Sequence, residues 1–270
     1  MRTKRTAFGA FIAVFVAAMA ALELFPPTYS ADETLSTLIS VSITRALGGT
    51  AFMLLTLLLG YRVFGLNKSR ASLLAALAAL AVAVNNLPII GLISGNATVD
   101  SPASHIALLA LESLMIGFFE EFTFRGVLYT SILESHRGST REIFLATLVT
   151  SLVFGGIHLL NLFFGAGLGA TLLQAGYSTL IGGMLSIVLL KTGSIWLCIA
   201  IHAVYDFCGY LVPTLGGGKI WDTSTIIVTA VLGVSVLVFM LYTLNGGGVD
   251  EAERLFSKKE NKYDTRTENL

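Results

Sequence analysis

Six side chains carry groups that hydrocarbon does not tolerate without a partner or a task. Glu120, Glu121 and Arg125 lie within Phe118-Phe119-Glu120-Glu121-Phe122-Thr123-Phe124-Arg125, His158 closes Phe154-Gly155-Gly156-Ile157-His158, and His202 and Asp206 stand four apart in His202-Ala203-Val204-Tyr205-Asp206. All three stretches sit inside long apolar runs. A carboxylate beside an imidazole can take a proton from water and direct the oxygen at a carbonyl. A second histidine–carboxylate pair can bind a metal or steady an oxyanion. The chemistry these types offer is hydrolysis, and their setting makes its object a peptide bond delivered within a membrane.

Helical spacing divides the work. Glu121 and Arg125 are four apart and share a helix face, so they can pair and partly neutralise each other. Glu120 points about 100° away and stays available. Each charge costs ~2.5–3.5 kcal/mol at the centre of a membrane helix, so the three together cost about 7.5–10. The twelve Leu, Ile, Phe and Val residues from Ile106 to Leu128 return only about 4–7 kcal/mol at ~0.3–0.6 each. A span from His105 to Thr130 therefore needs partners. A structural ion pair locking two helices is the plain alternative; two histidine-bearing helices and Asp206 weigh against it, because such a cluster must face a bundle interior.

The elements that must hold these groups follow from composition. Of 270 residues, 54% are hydrophobic and 13% charged, with zero formal net charge and a mean hydropathy of +0.79. This is an all-α, polytopic membrane bundle, and nothing in its charge suggests a nucleic-acid partner. Eight spans are expected: Ala7 to Phe25, Ala46 to Phe64, Ser72 to Ile93, His105 to Thr130, Glu142 to Phe164, Gly167 to Leu190, Ser194 to Val212 and Ser224 to Leu244. The first could instead be a cleaved signal peptide. The spans group into an N-terminal part (1–104), a core holding the polar residues (105–212), a last span (213–244) and a charged tail (245–270).

Smaller features carry further expectations. Ser30 to Thr44 reads as a surface-lying lead, which puts Arg45 at a span end. Asn85, Asn86 and Pro88 suggest a kink or hydrogen bonds between helices. Gly169, Gly176 and Gly183 form a stripe suited to close packing. Gly216-Gly217-Gly218 reads as a turn, His105 and His136 as solvated, and the tail as a solvated end. Cys198 and Cys208 read as small apolar side chains. Arg2, Lys4, Arg5, Arg62, Lys68, Arg70, Arg137, Arg141, Lys191 and five tail cations fall on one side of eight spans, and Lys219 alone in an opposite loop. The positive-inside rule then puts both termini in the cytoplasm.

The Glu-Glu-x-x-x-Arg of Glu120, Glu121 and Arg125, the Phe-x-x-x-His of Phe154 and His158, and the His-x-x-x-Asp of His202 and Asp206, in that order on successive apolar helices, resemble the CAAX protease and bacteriocin-processing family of intramembrane proteases. That family includes the Ras-converting enzyme and bacterial proteins linked to bacteriocin self-immunity. The resemblance covers about Leu111 to Gly209. It implies an intramembrane endopeptidase acting on a membrane-embedded or lipid-anchored protein or peptide. It also implies Glu120 as the water-activating base, His158 helping to hold the water, Glu121 and Arg125 as the supporting pair, and His202 and Asp206 completing the site.

Zinc-dependent and metal-free mechanisms are both described for such proteins; in the first, His158 and His202 would be ligands. Asp206 departs from the pattern, since the Ras-converting members have Asn there. An ionised carboxylate cannot donate to an oxyanion. Asp206 is therefore protonated, or binds a cation, or orients His202, and the last is favoured. By residue count His158 lies ~8 Å nearer the outside than Glu120, at 1.5 Å per residue, a gap that tilt or a later helix start would close. A non-enzymatic immunity or partner-binding protein could use the same cluster structurally. A proton-coupled transporter is disfavoured, because neither half repeats the other.

Overall fold

Asp32 shows how the first helix begins: its side chain accepts the Leu35 N–H at 3.0 Å, an N-cap that starts a helix at the next residue. A computed structural model describes residues 25–218, 223–245 and 248–256, together with Ala18, Ala21 and Leu22. Among them the helices are α1 (Glu33–Leu59), α2 (Arg70–Asn85), α3 (Ile89–Ser94), α4 (Ala103–Glu121), α5 (Thr130–Ser135), α6 (Thr140–Ile157), α7 (Leu168–Thr192), α8 (Ile195–Leu215), α9 (Thr223–Asn245) and α10 (Gly248–Arg254). A π-helix, Phe122–Tyr129, joins α4 to α5, and a 3₁₀ segment, His158–Phe164, extends α6.

The described residues include five helices long and apolar enough to cross a membrane: Glu33–Leu59, Thr140–Phe164, Leu168–Thr192, Ile195–Leu215 and Thr223–Asn245. The all-α bundle is as expected, whereas the count of eight spans is not established. The expected first span lies almost wholly outside the described residues. The expected third is broken: α2 ends at Asn85 and Pro88 precedes α3, because proline cannot continue the hydrogen-bond ladder. The two asparagines there do bond between helices, Asn85 Nδ2 donating to Thr229 Oγ1 and Asn86 Nδ2 to the Tyr205 carbonyl, both at 2.9 Å.

Several local expectations are corrected. The Ser30 to Thr44 stretch is not a surface lead; α1 begins inside it. Its hydroxyls are satisfied by the helix itself, Ser42 donating to the Leu38 carbonyl and Thr44 to that of Ser40, so polar residues there need no water. Arg45 consequently sits mid-helix, its guanidinium 5.4 Å from the Phe119 ring centroid. His105 is tied to Asp32 at 3.0 Å, while His136 is exposed.

The Gly216–Gly218 stretch is a strand, not a turn. It pairs antiparallel with Ala97–Val99, and Gly218, at φ +105°, is pressed so close to the Asn96 carbonyl that a side chain would collide. The glycine stripe holds in part: Gly169 and Gly176 face open space, Gly183 comes within 3.2 Å of Ser151 Oγ, and further close approaches are at Gly182 and, from α6, Gly155.

Over residues 248–256 the tail is not solvated, while 257–270 lie outside the described residues. Helix α10 folds back, burying Ala252 and Leu255 at 0% and 1% exposure. Glu251 Oε2 meets Lys191 Nζ at 2.6 Å, with Lys191 only 2% exposed. Arg137 pairs with Glu253 at 2.9 Å and lies over Phe256. Charges expected on one side of the membrane thus bind one another there.

In the bundle α4 runs between α1 and α8, and α6 lies along α7. The main core gathers Phe122, Tyr129, Leu185, Val188, Ile195 and Cys198. Both cysteines are free and buried.

Candidate active site

Glu121 is fully buried, and its Oε1 accepts two charge-assisted hydrogen bonds. One comes from Arg125 Nη1 at 2.8 Å and the other from His202 Nδ1 at 2.7 Å. The pairing expected from a four-residue spacing is present, although Arg125 lies in the π-helical continuation of α4 rather than in an α-helix. Arg125, itself 1% exposed, sends Nη2 to the Gly182 carbonyl at 3.0 Å and stacks on Phe154 at 4.6 Å. One guanidinium therefore ties α4, α6 and α7 together.

Gly182 makes that approach possible. A Cβ there would stand 3.1 Å from Phe154 Cδ1, 3.3 Å from Ser151 Cα and 3.5 Å from Arg125 Nη2.

His202 is held from one side and open on the other. Its Nδ1 faces a carboxylate, so it carries the proton and donates to Glu121. Its Nε2 stands 3.5 Å from Glu120 Oε2 and 3.5 Å from Asp206 Oδ2. The ring is thus oriented chiefly by Glu121, not by Asp206 as expected from the four-residue spacing: each imidazole has two distinct nitrogens, and the shorter bond takes Nδ1. A bare Nε2 lone pair facing two carboxylates is repulsive, so a proton must be shared among His202, Glu120 and Asp206. Asp206 Oδ2 and Glu121 Oε2 are buried and have no hydrogen-bond partner among the described groups.

The two adjacent glutamates differ. Glu121 is spent on Arg125 and His202, while Glu120 is 20% exposed and reaches His202 only at 3.5 Å.

His158 approaches from α6, where the helix tightens into the 3₁₀ segment. Its Nδ1 donates to the Phe154 carbonyl at 2.9 Å, which leaves Nε2 as an acceptor. The ring meets Phe154 edge-on at 5.4 Å, and His202 meets the same phenyl at 5.9 Å. Phe154 is therefore a platform shared by both imidazoles and Arg125. Its place four residues before His158 is part of the motif, but the motif alone assigns it no contact; Gly182, one position from the glycine stripe, was likewise missed.

Among the described residues no three His, Cys, Asp or Glu side chains form a group that could hold a metal ion. The Nδ1 bonds of His158 and His202 to protein oxygens leave the two Nε2 atoms as the nitrogens a zinc ion would take.

The order and spacing of these groups match a known family. Residues 102–208 match the family model described as type II CAAX prenyl endopeptidase Rce1-like. That stretch is similar to the Rce1-like family. The family resemblance carried by the three motifs is thereby shown, over less than half of the chain. Comparison with curated proteins and with solved structures returns no match. The Rce1-like segment runs from the start of α4 to within α8, so it contains every charged group of the cluster. With the five apolar helices, it makes the chain an integral membrane protein.

Proposed function

We propose that this protein is an intramembrane endopeptidase that hydrolyses a peptide bond of a membrane-embedded or lipid-anchored protein or peptide, with Glu120 activating the water. What supports this most is the contrast between neighbouring glutamates: Glu121 is locked by Arg125 and His202, and Glu120 is left half-buried beside an oriented imidazole. The family description adds the endopeptidase class and CAAX prenyl substrates.

In this reading Glu120 takes a proton from water as the oxygen attacks the scissile carbonyl. The His158 Nε2 lone pair accepts a hydrogen bond from the water's other O–H, which stays on the oxygen, and fixes the attack direction. The proton shared near His202 Nε2 faces the developing oxyanion, the kind of preorganised donor that stabilises such charge. Glu120 then delivers its proton to the leaving amine. No step uses a metal.

The test is full-length protein in liposomes with a prenylated CAAX peptide, cleavage being read by mass spectrometry. Glu120→Gln is expected to lose about 10²-fold or more with an unchanged unfolding midpoint. Asp206→Asn should stay within about tenfold, since the amide oxygen can accept from a protonated His202 Nε2 and the amide N–H can itself donate to the oxyanion. Full cleavage by Glu120→Gln would refute the assignment and favour a binding protein that uses the cluster structurally.

A further inference from the structure

A cavity of about 470 Å³ opens between α1, α4 and α8, lined by Glu33, Thr37, Glu112, Ile116, Tyr210 and Thr214 among others. Its position relative to the site follows from helix geometry. On α4 the residues 112, 116 and 120 recur every four positions and share a face, as do 214, 210, 206 and 202 on α8. The cavity floor, Ile116 and Tyr210, is one step of about 6 Å from Glu120 and Asp206.

Burial deepens along the α8 row. Thr214 is exposed, Tyr210 is 39% exposed, Asp206 is 9% and His202 is 3%.

Toward the other end the described residues are more closed. The Glu121 face presents Phe122, Arg125, Tyr129 and Leu133, none more than 1% exposed, Phe124 four residues past Glu120 is 7% exposed, and α10 lies across the bundle end on α6 and α7, pinned by Lys191–Glu251.

We propose that this cavity is the route by which water reaches Glu120, and that it opens on the membrane face opposite the C-terminal helix. The proposal rests on the hydrolase reading. Its lining suits water: Glu33, Thr37, Glu112, Tyr210 and Thr214 offer hydrogen-bonding groups, and the volume admits on the order of fifteen waters at ~30 Å³ each. One helical turn inward of the cavity, Asp206 Oδ2 is buried with only His202 Nε2 nearby at 3.5 Å and no hydrogen bond, a group for which a bridging water is the ordinary solution. A charged or polar side chain at this depth faces a wet cavity or a partner.

The test uses full-length protein with single cysteines at Thr37, Thr214 or Arg254, treated with a membrane-impermeant thiol reagent in right-side-out and inverted vesicles. The unsubstituted protein, with buried Cys198 and Cys208, gives the background. Thr37→Cys and Thr214→Cys should label from one side and Arg254→Cys from the other. Modification at Thr214 should cut cleavage at least tenfold, and modification at Arg254 less than twofold. Thr37→Cys serves independently if Thr214→Cys fails to assemble. Labelling of the cavity cysteines from the Arg254 side, from neither side, or without loss of cleavage overturns the route. Accessibility is read without catalysis, so an inactive wild type would sink the hydrolase reading and leave the labelling result standing on its own.

Discussion

Replacing Arg125 by methionine keeps the length of the side chain and deletes its charge, which isolates what one buried guanidinium holds together. Three contacts go: Glu121 at 2.8 Å, the Gly182 carbonyl at 3.0 Å and the Phe154 face at 4.6 Å. Removing one member of a buried pair costs about 3–5 kcal/mol, because the remaining charge is left without compensation. The hydrogen bond to Gly182 between membrane helices adds about 0.6 and at most ~1.7 kcal/mol, and a desolvated cation over an aromatic face is worth up to ~2. These overlap, and Glu121 keeps its 2.7 Å bond to His202, so the expected loss is the pair value of about 3–5 kcal/mol rather than the sum. Glu121→Gln combined with Arg125→Met removes both charges, and its cost should fall short of the summed single costs by at least ~1 kcal/mol. Reversible unfolding in mixed detergent micelles gives all four corners of the cycle. A loss under about 1 kcal/mol for Arg125→Met, or additivity within ~0.5 kcal/mol, would mean that the pair does not hold these helices.

Three further outcomes follow from the structure. Lys191→Met leaves Glu251 only the looser, exposed Arg254 at 3.8 Å; it should release α10, seen as faster proteolysis at Arg254 and a stability loss of about 3 kcal/mol, whereas Lys191→Met with Glu251→Leu should dock again. Gly182→Ala places a methyl 3.1 Å from Phe154 and 3.5 Å from Arg125; cleavage should drop at least tenfold while Gly176→Ala, which meets nothing within 4 Å, stays at the wild-type rate. Asp32 has its carboxyl held below 3.8, first by the Leu35 N–H and then by His105. A depressed carboxyl adds stability above its unfolded value and loses it as pH falls through the lower folded one. Acid unfolding monitored below about pH 4 should therefore be less steep in Asp32→Asn than in the wild type.

What could be read from the chain alone was whatever a single helix decides. The Glu121–Arg125 pair needs only a helical turn, and the loneliness of Glu120 follows from the next residue's pointing elsewhere. The order of the polar helices was legible for the same reason, since each carries its groups within four or five residues. What was hidden depends on a second element. Spacing placed Asp206 within reach of His202 on α8, but the nitrogen that orients the ring was claimed by Glu121 from α4. The glycine stripe was a true feature of α7, yet both Gly182 and Gly183 lie against Ser151 of α6, and only contact with Phe154 and Arg125 sets Gly182 apart from its neighbour at 183.

Helix α10 is the sharpest case. Val249, Ala252, Leu255 and Phe256 recur at helical intervals, but seven residues are too few to form a stable helix alone. Its folding therefore depends on Lys191 and on the backbone bond from Arg62 N–H to the Leu255 carbonyl at 2.9 Å. The same dependence links the two ends of the site. A bundle closed by a docked tail on one side must admit water from the other, so the contacts that no local pattern revealed also decide which face of the membrane serves Glu120.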